Sequence, residues 1–343
     1  MSLLNKVIYH LRKKANYIMA VAFIAGISML YFSAQNDIYS PLLFLYKAAF
    51  FPLSLVFLVT VWLLAFLVTK TFKINTYRKW PMCVALLVTL LFVPHLLPNW
   101  QQSVQFSEAA NQQGFSVATF SAMTRSRNAK DIINFVQKYQ PQVLCLQEIN
   151  ADDMPRILNL YPYQSRHGKS GLVILSQFPL SHFSEEYSLN EQDDKPAINS
   201  SIKNAVQSIE LVLPNQSKAR VLNVHMPRQY RQGGNLTKTI ESIRWHTDTE
   251  MPIVLCGDFN LTPQHTIYSH LTNQLGLSDA QLSQTWEYGF TFPNGNRNLA
   301  RFGTWLRIDY LFSRGFFHGN TKVINVSNLS DHRAVLSKFL LVK

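Results

Sequence analysis

Ile253-Val254-Leu255-Cys256-Gly257-Asp258-Phe259-Asn260 is an apolar run that stops abruptly in Gly-Asp-Phe-Asn, with Leu261-Thr262-Pro263 behind it. A short apolar run closed by Gly and Pro predicts a buried strand feeding a loop. A carboxylate and an amide then stand two residues apart at the strand's exit, held by rigid backbone yet able to reach a cleft. The arrangement recurs. Val143-Leu144-Cys145-Leu146-Gln147 leads to Glu148, Val221-Leu222-Asn223-Val224 to His225, Arg307-Ile308 to Asp309, and Leu329-Ser330 to Asp331-His332.

Around these strand ends the pattern is globular from Gly114 onward. Strands are expected at 115–120, 143–146, 171–176, 205–213, 221–224 and 253–256. Residues 129–139 carry Ile132, Ile133, Phe135 and Val136, a helical stripe that ends before Pro141. Residues 235–249 form a second expected helix, and the acids and turn formers of 185–195 a surface loop. Short strands with irregularly placed helices oppose strict βαβ repetition and predict an α/β sandwich. The 230 residues of 114–343 suffice for one substantial core.

The first hundred residues differ in kind. Residues 16–34 and 48–69 are runs of 19 and 22 residues without a charge, and 82–98 is a third apolar run interrupted by Pro94. A bilayer span takes about 20 apolar residues, so 1–100 is expected to be an all-α transmembrane region, with 101–113 a linker. Buried helices of a soluble core, or a cleaved leader at the first run, are the competing readings. The net charge of +12 divides unevenly: 1–100 hold nine Lys/Arg and one acid, and 101–343 hold 23 and 19, or +8 against +4. Lys6, Arg12, Lys13 and Lys14 precede the first run, and Lys70, Lys73, Arg78 and Lys79 follow the second. Cytoplasmic loops are rich in Lys and Arg, which predicts a multi-pass inner-membrane protein with its catalytic domain on the periplasmic or extracellular side. Cys83, Cys145 and Cys256 lie in apolar runs and are expected as buried thiols, with neither a disulfide framework nor zinc spacing.

Singly, each polar strand-end residue has an ordinary explanation as a solvated acid, a half-buried histidine or a cap. Together, two imidazoles, several carboxylates and Asn260 supply the groups of metal-assisted phosphoryl hydrolysis. Hard oxygen ligands suit Mg²⁺ or Mn²⁺, a carboxylate can deprotonate water, and histidines can stabilise developing charge or protonate a leaving oxygen. No Gly-x-Ser-x-Gly elbow, P-loop or His-Glu-x-x-His helix is present.

Five segments in this order, Leu146-Gln147-Glu148, Asn223-Val224-His225, Gly257-Asp258-Phe259-Asn260, Arg307-Ile308-Asp309-Tyr310 and Ser330-Asp331-His332, resemble the endonuclease/exonuclease/phosphatase superfamily. That fold is shared by pancreatic deoxyribonuclease, neutral sphingomyelinases and inositol-polyphosphate 5-phosphatases, and the resemblance covers nearly all of 114–343. It implies a four-layer α/β sandwich. It implies Glu148 as metal ligand with Asp331 assisting, Asp258 as the water-activating base, and Asn260 fixing the phosphate or that aspartate. His332 would contact the scissile phosphate, held by Asp309, and His225 would protonate the leaving group, where abasic-site endonucleases usually have tyrosine. One position departs from the family: Ser121 stands where an asparagine is usual near the metal, and it lacks an amide's reach.

The expected activity is a membrane-anchored, metal-dependent phosphodiesterase or phosphatase. Nucleic acid would use a basic groove, for which Arg228, Arg231 and Lys238 are candidates. A phospholipid headgroup fits anchoring, and Trp286, Phe290, Phe292, Phe302 and Trp305 are candidates for a wall near Asp309, though core packing is the plainer role for most of them. The alternative is a catalytically silent membrane receptor or scaffold on the same fold, for which Ser121 is the residue-level hint.

Overall fold

The computed structural model describes residues 107–122, 129–149, 152–165, 171–187, 205–226, 233–263, 265–283, 288–295, 300, 303–304, 306–326 and 330–342, with 62–63, 82–83 and 85–87 ahead of them. The chain divides into two compact units, Met1–Leu96 and Leu97–Lys343. In the first unit the described residues are helical. The expected spans at 16–34 and 48–69, apart from 62–63, lie outside the described residues, as does most of 82–98. Among the described residues no helix is long and apolar enough to cross a membrane. That finding corrects the expectation of an all-α transmembrane region and of a multi-pass chain with an outward-facing catalytic domain. A span needs about 20 apolar helical residues, whereas the longest described helix has 15 and carries Lys238, Glu241 and Arg244.

The second unit runs α1 (Glu108–Gln113), β1 (Phe115–Ser121), α2 (Ala129–Tyr139), β2 (Val143–Gln147), α3 (Met154–Leu158), β3 (Tyr163–Gln164), β4 (Val173–Ser176), β5 (Leu180–Tyr187), β6 (Ala205–Val212) and β7 (Lys218–His225). It continues through α4 (Gly233–Thr247), β8 (Ile253–Asp258), α5 (Thr266–Ser269) with a wider turn at His270–Gln274, β9 (Ser278–Asp279), β10 (Asp309–Arg314), β11 (Phe316–His318), β12 (Lys322–Ile324) and β13 (Ala334–Leu341). Helix α1 occupies part of the stretch expected to be linker.

The strands form two sheets, one ordered β11-β13-β1-β2-β4-β3 with β12 also on β13, the other ordered β5-β6-β7-β8-β10-β9. Each is built on one parallel pair, β1 with β2 and β7 with β8, and is antiparallel elsewhere. Parallel neighbours need a crossover, which α2 and α4 supply. Helix α2 buries Ala129, Ile132 and Phe135, has Asp131 in its first turn and Lys138 in its last, and stops before Pro141. The apolar stripe docks it, the charges suit the helix dipole and the proline ends it.

Alternation along the strands separates three apolar layers. Val117, Val143 and Ile174 of one sheet meet Ile209, Val221 and Val254 of the other in the central core. Their neighbours Ala118, Leu144 and Leu175 turn outward onto α2 and α3. Leu222, Leu255 and Phe312 turn outward onto Ile243 of α4 and Tyr268 of α5. The result is helix, sheet, sheet, helix. Each fully buried side chain of this kind contributes about 1.5–3 kcal/mol by leaving water. Cys145 and Cys256 face one another in the central layer and are joined by a disulfide, which corrects the expectation of two thiols. Residues 111 apart in sequence meet there because β2 and β8 are stacked. Cys83 is free and exposed.

The central layer changes character along its length. On β2 the inward positions run Val143, Cys145, Gln147; on β7 Val221, Asn223, His225; on β8 Val254, Cys256, Asp258. Apolar pairs thus give way, two residues at a time, to polar ones at the same end of both sheets.

Candidate active site

Strand register assembles one wall of this polar end. His225 pairs with Asp258 across β7 and β8, and Asp258 pairs with Asp309 across β8 and β10. Paired residues on adjacent strands share a face and sit about 5 Å apart, so the three side chains form a row. Gly257 makes the row possible. Its φ is +143°, and a Cβ there would lie 1.9 Å from the Val224 carbonyl oxygen, so β7 and β8 approach this closely only without a side chain.

The other sheet supplies the facing groups. Glu148 follows β2, Ser121 ends β1, and Asp331-His332 precede β13. Here the structure corrects the expected chain direction. Asp309 and His332 stand at the starts of strands, not at their exits. Antiparallel pairing of β10 with β8 and of β13 with β1 brings those starts beside the exits that carry Asp258 and Ser121.

His332 Nδ1 lies 2.9 Å from Asp309 Oδ2 and 3.1 Å from Oδ1. Its Nε2 lies 3.7 Å from Asp258 Oδ2. His225 Nε2 stands 3.7 Å from Glu148 Oε1 and 3.8 Å from Asp258 Oδ2. Asp258 is therefore flanked by both imidazoles, while its Oδ1 accepts the Asn260 N–H at 3.0 Å. The Asn260 side-chain amide donates to the Met226 carbonyl at 2.9 Å. Glu148 and Asn260 have φ of +54° and +50°. Such backbone is uncommon outside glycine, and its occurrence at two residues of one cleft is the clustering expected of a functional site.

Burial sets the protonation of this group. Burial pushes the Asp258 carboxyl up to about 7, with Asp309 and Glu148 adding to the rise against the opposing pull of His332 and the Asn260 N–H. For His332 burial works downward, but the carboxylates of Asp309 and Asp258 outweigh it and push the imidazole up to about 10. The cleft thus holds a poised carboxyl beside a retained imidazolium. Among the described residues, Asp258, Asp309 and His332 are the one group of three metal-capable side chains with ligand atoms within 4.8 Å of one another. His332 Nδ1 and the Asp309 carboxylate already engage one another, so a hard cation would need further oxygen donors from the cleft.

The remaining expected site residues divide. Asp331 is buried beside His332, and Ser121 is buried at the inner face. Arg228 and Arg231 lie outside the described residues, and Lys238 is exposed on α4. Of the aromatic wall, Trp286, Phe302 and Trp305 lie outside the described residues. Phe290 and Phe292 are half-buried, and the Phe292 ring is 5.0 Å from the His332 ring.

Three residues to which the sequence assigns no role of their own, among them Ser330 of the Ser330-Asp331-His332 segment, support the site. Asn294 donates from its side chain to the His332 carbonyl at 3.1 Å and from its backbone to the Asp331 carbonyl at 2.7 Å. Thr291 Oγ1 accepts the N–H groups of Ile308 and Asp309. Ser330 Oγ accepts the His332 N–H and donates to the Ser121 carbonyl. The sequence signals were slight: a Pro293-Asn294-Gly295 turn and an isolated threonine, whose partners come from other segments.

The sequence model of the Endonuclease/Exonuclease/phosphatase family matches residues 110–332. No curated protein matches the chain. Among solved structures, an endonuclease/exonuclease/phosphatase family protein from Leptotrichia buccalis is 17% identical, with a TM-score of 0.51 over 66% of this chain and 100% of that one. D. rerio TDP2, solved with a single-strand DNA product, is 13% identical, with a TM-score of 0.53 over 66% and 99%. A mannosyl-6-phosphatase from Bacteroides thetaiotaomicron is 15% identical, with a TM-score of 0.51 over 66% and 100%. At these identities the structures establish a shared fold.

Proposed function

Because the chain belongs to the endonuclease/exonuclease/phosphatase family, we propose that it is a Mg²⁺- or Mn²⁺-dependent phosphodiesterase acting on nucleic acid. The observation that carries this reading is Asp258 held between two histidines, with Asp309 fixing one of them.

The carboxylate-rich donor set fits a hard divalent cation. As the family resemblance implies, Glu148 would hold it with help from Asp331, leaving Asp258 and Asp309 of the buried Asp258–Asp309–His332 group to the water and the imidazole. The ion when bound would polarise a phosphoryl oxygen as a Lewis acid. Asp258, with its carboxyl near 7, is matched to accept a proton from water at neutral pH. The Asn260 N–H fixes the rotation of that carboxylate. His332 stays protonated against Asp309 and presents Nε2 to a phosphoryl oxygen, where negative charge builds. His225, which stands between Glu148 and Asp258, would donate a proton to a departing oxygen. Phe292 favours a strand of nucleic acid over a bare phosphate, since a half-buried ring beside His332 offers a base a stacking face. Its apolar surface equally suits the glycerol and acyl part of a phospholipid, the second substrate class. The mannosyl-6-phosphatase among the similar structures makes phosphomonoesters the third comparison.

One parallel assay of the whole chain tests the reading. Single-stranded DNA, phospholipid vesicles and a sugar phosphate are incubated with Mg²⁺, Mn²⁺ or chelator. DNA cleavage that chelator abolishes, and that Asp258→Asn lowers by about 10³-fold, supports it. Preference for either other substrate replaces the substrate class but keeps the chemistry. Equal inertness of wild type and Asp258→Asn leaves the silent scaffold.

A further inference from the structure

Between the apolar core and the cleft, two amides bridge the sheets. Asn223 of β7 and Gln147 of β2 are fully buried. Asn223 Nδ2 donates to the carbonyls of Leu146 at 2.9 Å and Val173 at 3.2 Å. Those residues form the last pair of the β2–β4 ladder, so an amide of one sheet caps the end of a ladder in the other. With its nitrogen committed to two acceptors, Asn223 must turn its oxygen toward Gln147. Gln147 Nε2 donates to that oxygen at 2.6 Å and to Thr119 Oγ1 at 2.9 Å, so the orientation of each amide follows from the other.

Two buried amides are a costly way to fill space. An apolar pair would need no partners, and Gln147 Oε1 is buried without one among the described residues. The position accounts for them. Gln147 immediately precedes Glu148, whose φ is +54°, and Asn223 lies two residues before His225 on the same face of β7. The bridge is thus one step behind the 3.7 Å approach of Glu148 to His225. A cap on the Leu146 carbonyl acts on the backbone that turns Glu148 into the cleft.

We infer that Asn223 and Gln147 are positioning residues that set the separation of Glu148, on one sheet, from His225 and Asp258 on the other. The inference rests on the hydrolase reading for its purpose, though not for its geometry. Packing alone would let either amide be replaced with a loss of stability and nothing more.

The experiment uses the whole chain as wild type, Asn223→Ala, Gln147→Ala, the double variant and Leu211→Ala. Leu211 lies in the same inter-sheet layer, away from the cleft. Mn²⁺ affinity is read without substrate from the free-ion electron paramagnetic resonance signal, kcat and KM on bis(p-nitrophenyl) phosphate, and stability by thermal unfolding. Each amide variant is expected to weaken Mn²⁺ binding and lower kcat by about tenfold or more, with KM nearly unchanged. The double variant should be no worse than the poorer single, because the bridge acts as a unit. Leu211→Ala should lose stability and keep Mn²⁺ affinity and kcat. The inference is overturned if the amide variants behave as Leu211→Ala does, if their losses multiply in the double, or if wild type binds no Mn²⁺. A wild type that binds Mn²⁺ but hydrolyses nothing sinks the hydrolase reading alone, and the affinity series still decides the positioning role.

Discussion

Two buried histidines, His332 and His318, show how one scaffold makes opposite uses of the same side chain. Both are almost wholly removed from water. His332 sits against Asp309 and Asp258 and is pushed up to about 10. His318 lies between Ser283 Oγ, 2.5 Å from Nδ1, and Ser313 Oγ, 2.6 Å from Nε2, and burial pushes it down to about 4. A hydroxyl can donate or accept, so two hydroxyls satisfy a neutral ring completely. Carboxylates only accept, so they favour the imidazolium. Burial is common to both rings, and the partners decide the charge.

The largest test of that contrast exchanges each ring for an amide. His332→Gln is expected to lower hydrolysis by about 10³-fold, since in the proposed mechanism it removes the charge that faces the phosphate. His318→Gln should leave kcat within about twofold while lowering stability by about 1–3 kcal/mol. Steady-state kinetics with urea unfolding separates the two. Comparable losses of kcat would mean that the neutral ring also serves the reaction.

A second test asks why His318 stays neutral with a carboxylate near enough to oppose its burial. Asp279 pulls His318 upward, but its Oδ1 is 2.5 Å from Arg307 Nη2 and its Oδ2 accepts the Tyr268 hydroxyl at 2.7 Å. The Arg307 guanidinium also stacks 4.7 Å from the Tyr310 ring centre. Arg307→Met should strand a buried carboxylate at a cost of about 3–5 kcal/mol. It should also raise the His318 pKa, measured by imidazole NMR. If the pKa stays in place, Asp279 is too well screened to matter and burial alone governs the ring.

The pH dependence of stability is a third test, with the two rings acting in opposite senses. His318 has a folded pKa of about 4 against an ordinary value of 6.5, so between those limits the unfolded chain binds the extra proton. Stability from this group is complete above about pH 6.5 and falls as pH drops toward 4, by about 3 kcal/mol. His332 has its folded pKa raised to about 10. Its contribution is complete below about 6.5 and is lost as pH rises through 10. Urea midpoints across pH should show the acid slope flattened in His318→Gln and the alkaline slope flattened in His332→Gln. Reversed assignments would contradict the comparison.

The two histidines also mark what the sequence made legible. The strand at Ile253–Asp258 and the helix at Ala129–Tyr139 were visible because their apolar spacing is local. His332, Asp309 and Asp258 stand out in the sequence as candidate site residues because they lie in recognisable segments, and the structure brings them together, but their chain direction was not legible. Direction depends on pairing β8 with β10 and β1 with β13, the latter between partners more than 200 residues apart in sequence. The Cys145–Cys256 bridge, the Asn294 and Thr291 supports and the Ser283 hydroxyl on His318 were hidden for a related reason. Each is a contact between segments whose own patterns are unremarkable. The membrane expectation fails for a different reason: apolar composition does not fix helix length, and among the described residues no helix is long and apolar enough to cross a membrane.

The smallest predicted effect concerns the surface beside His332, for which His318 has no counterpart. His318 packs edge-on against Phe339 in the core, with ring centres 5.5 Å apart. His332 instead has the half-buried Phe292 at 5.0 Å, at an interplanar angle of 53°. A ring in that position can shield the imidazolium from water and can stack with a base. Phe292→Ala should raise KM for a single-stranded oligonucleotide by about tenfold, since base stacking is worth about 1–3 kcal/mol. KM for bis(p-nitrophenyl) phosphate, which has no base, should move much less. If both substrates lose equally, and mainly in kcat, Phe292 serves the imidazole rather than the substrate. The specificity of the cleft must then come from residues other than this ring.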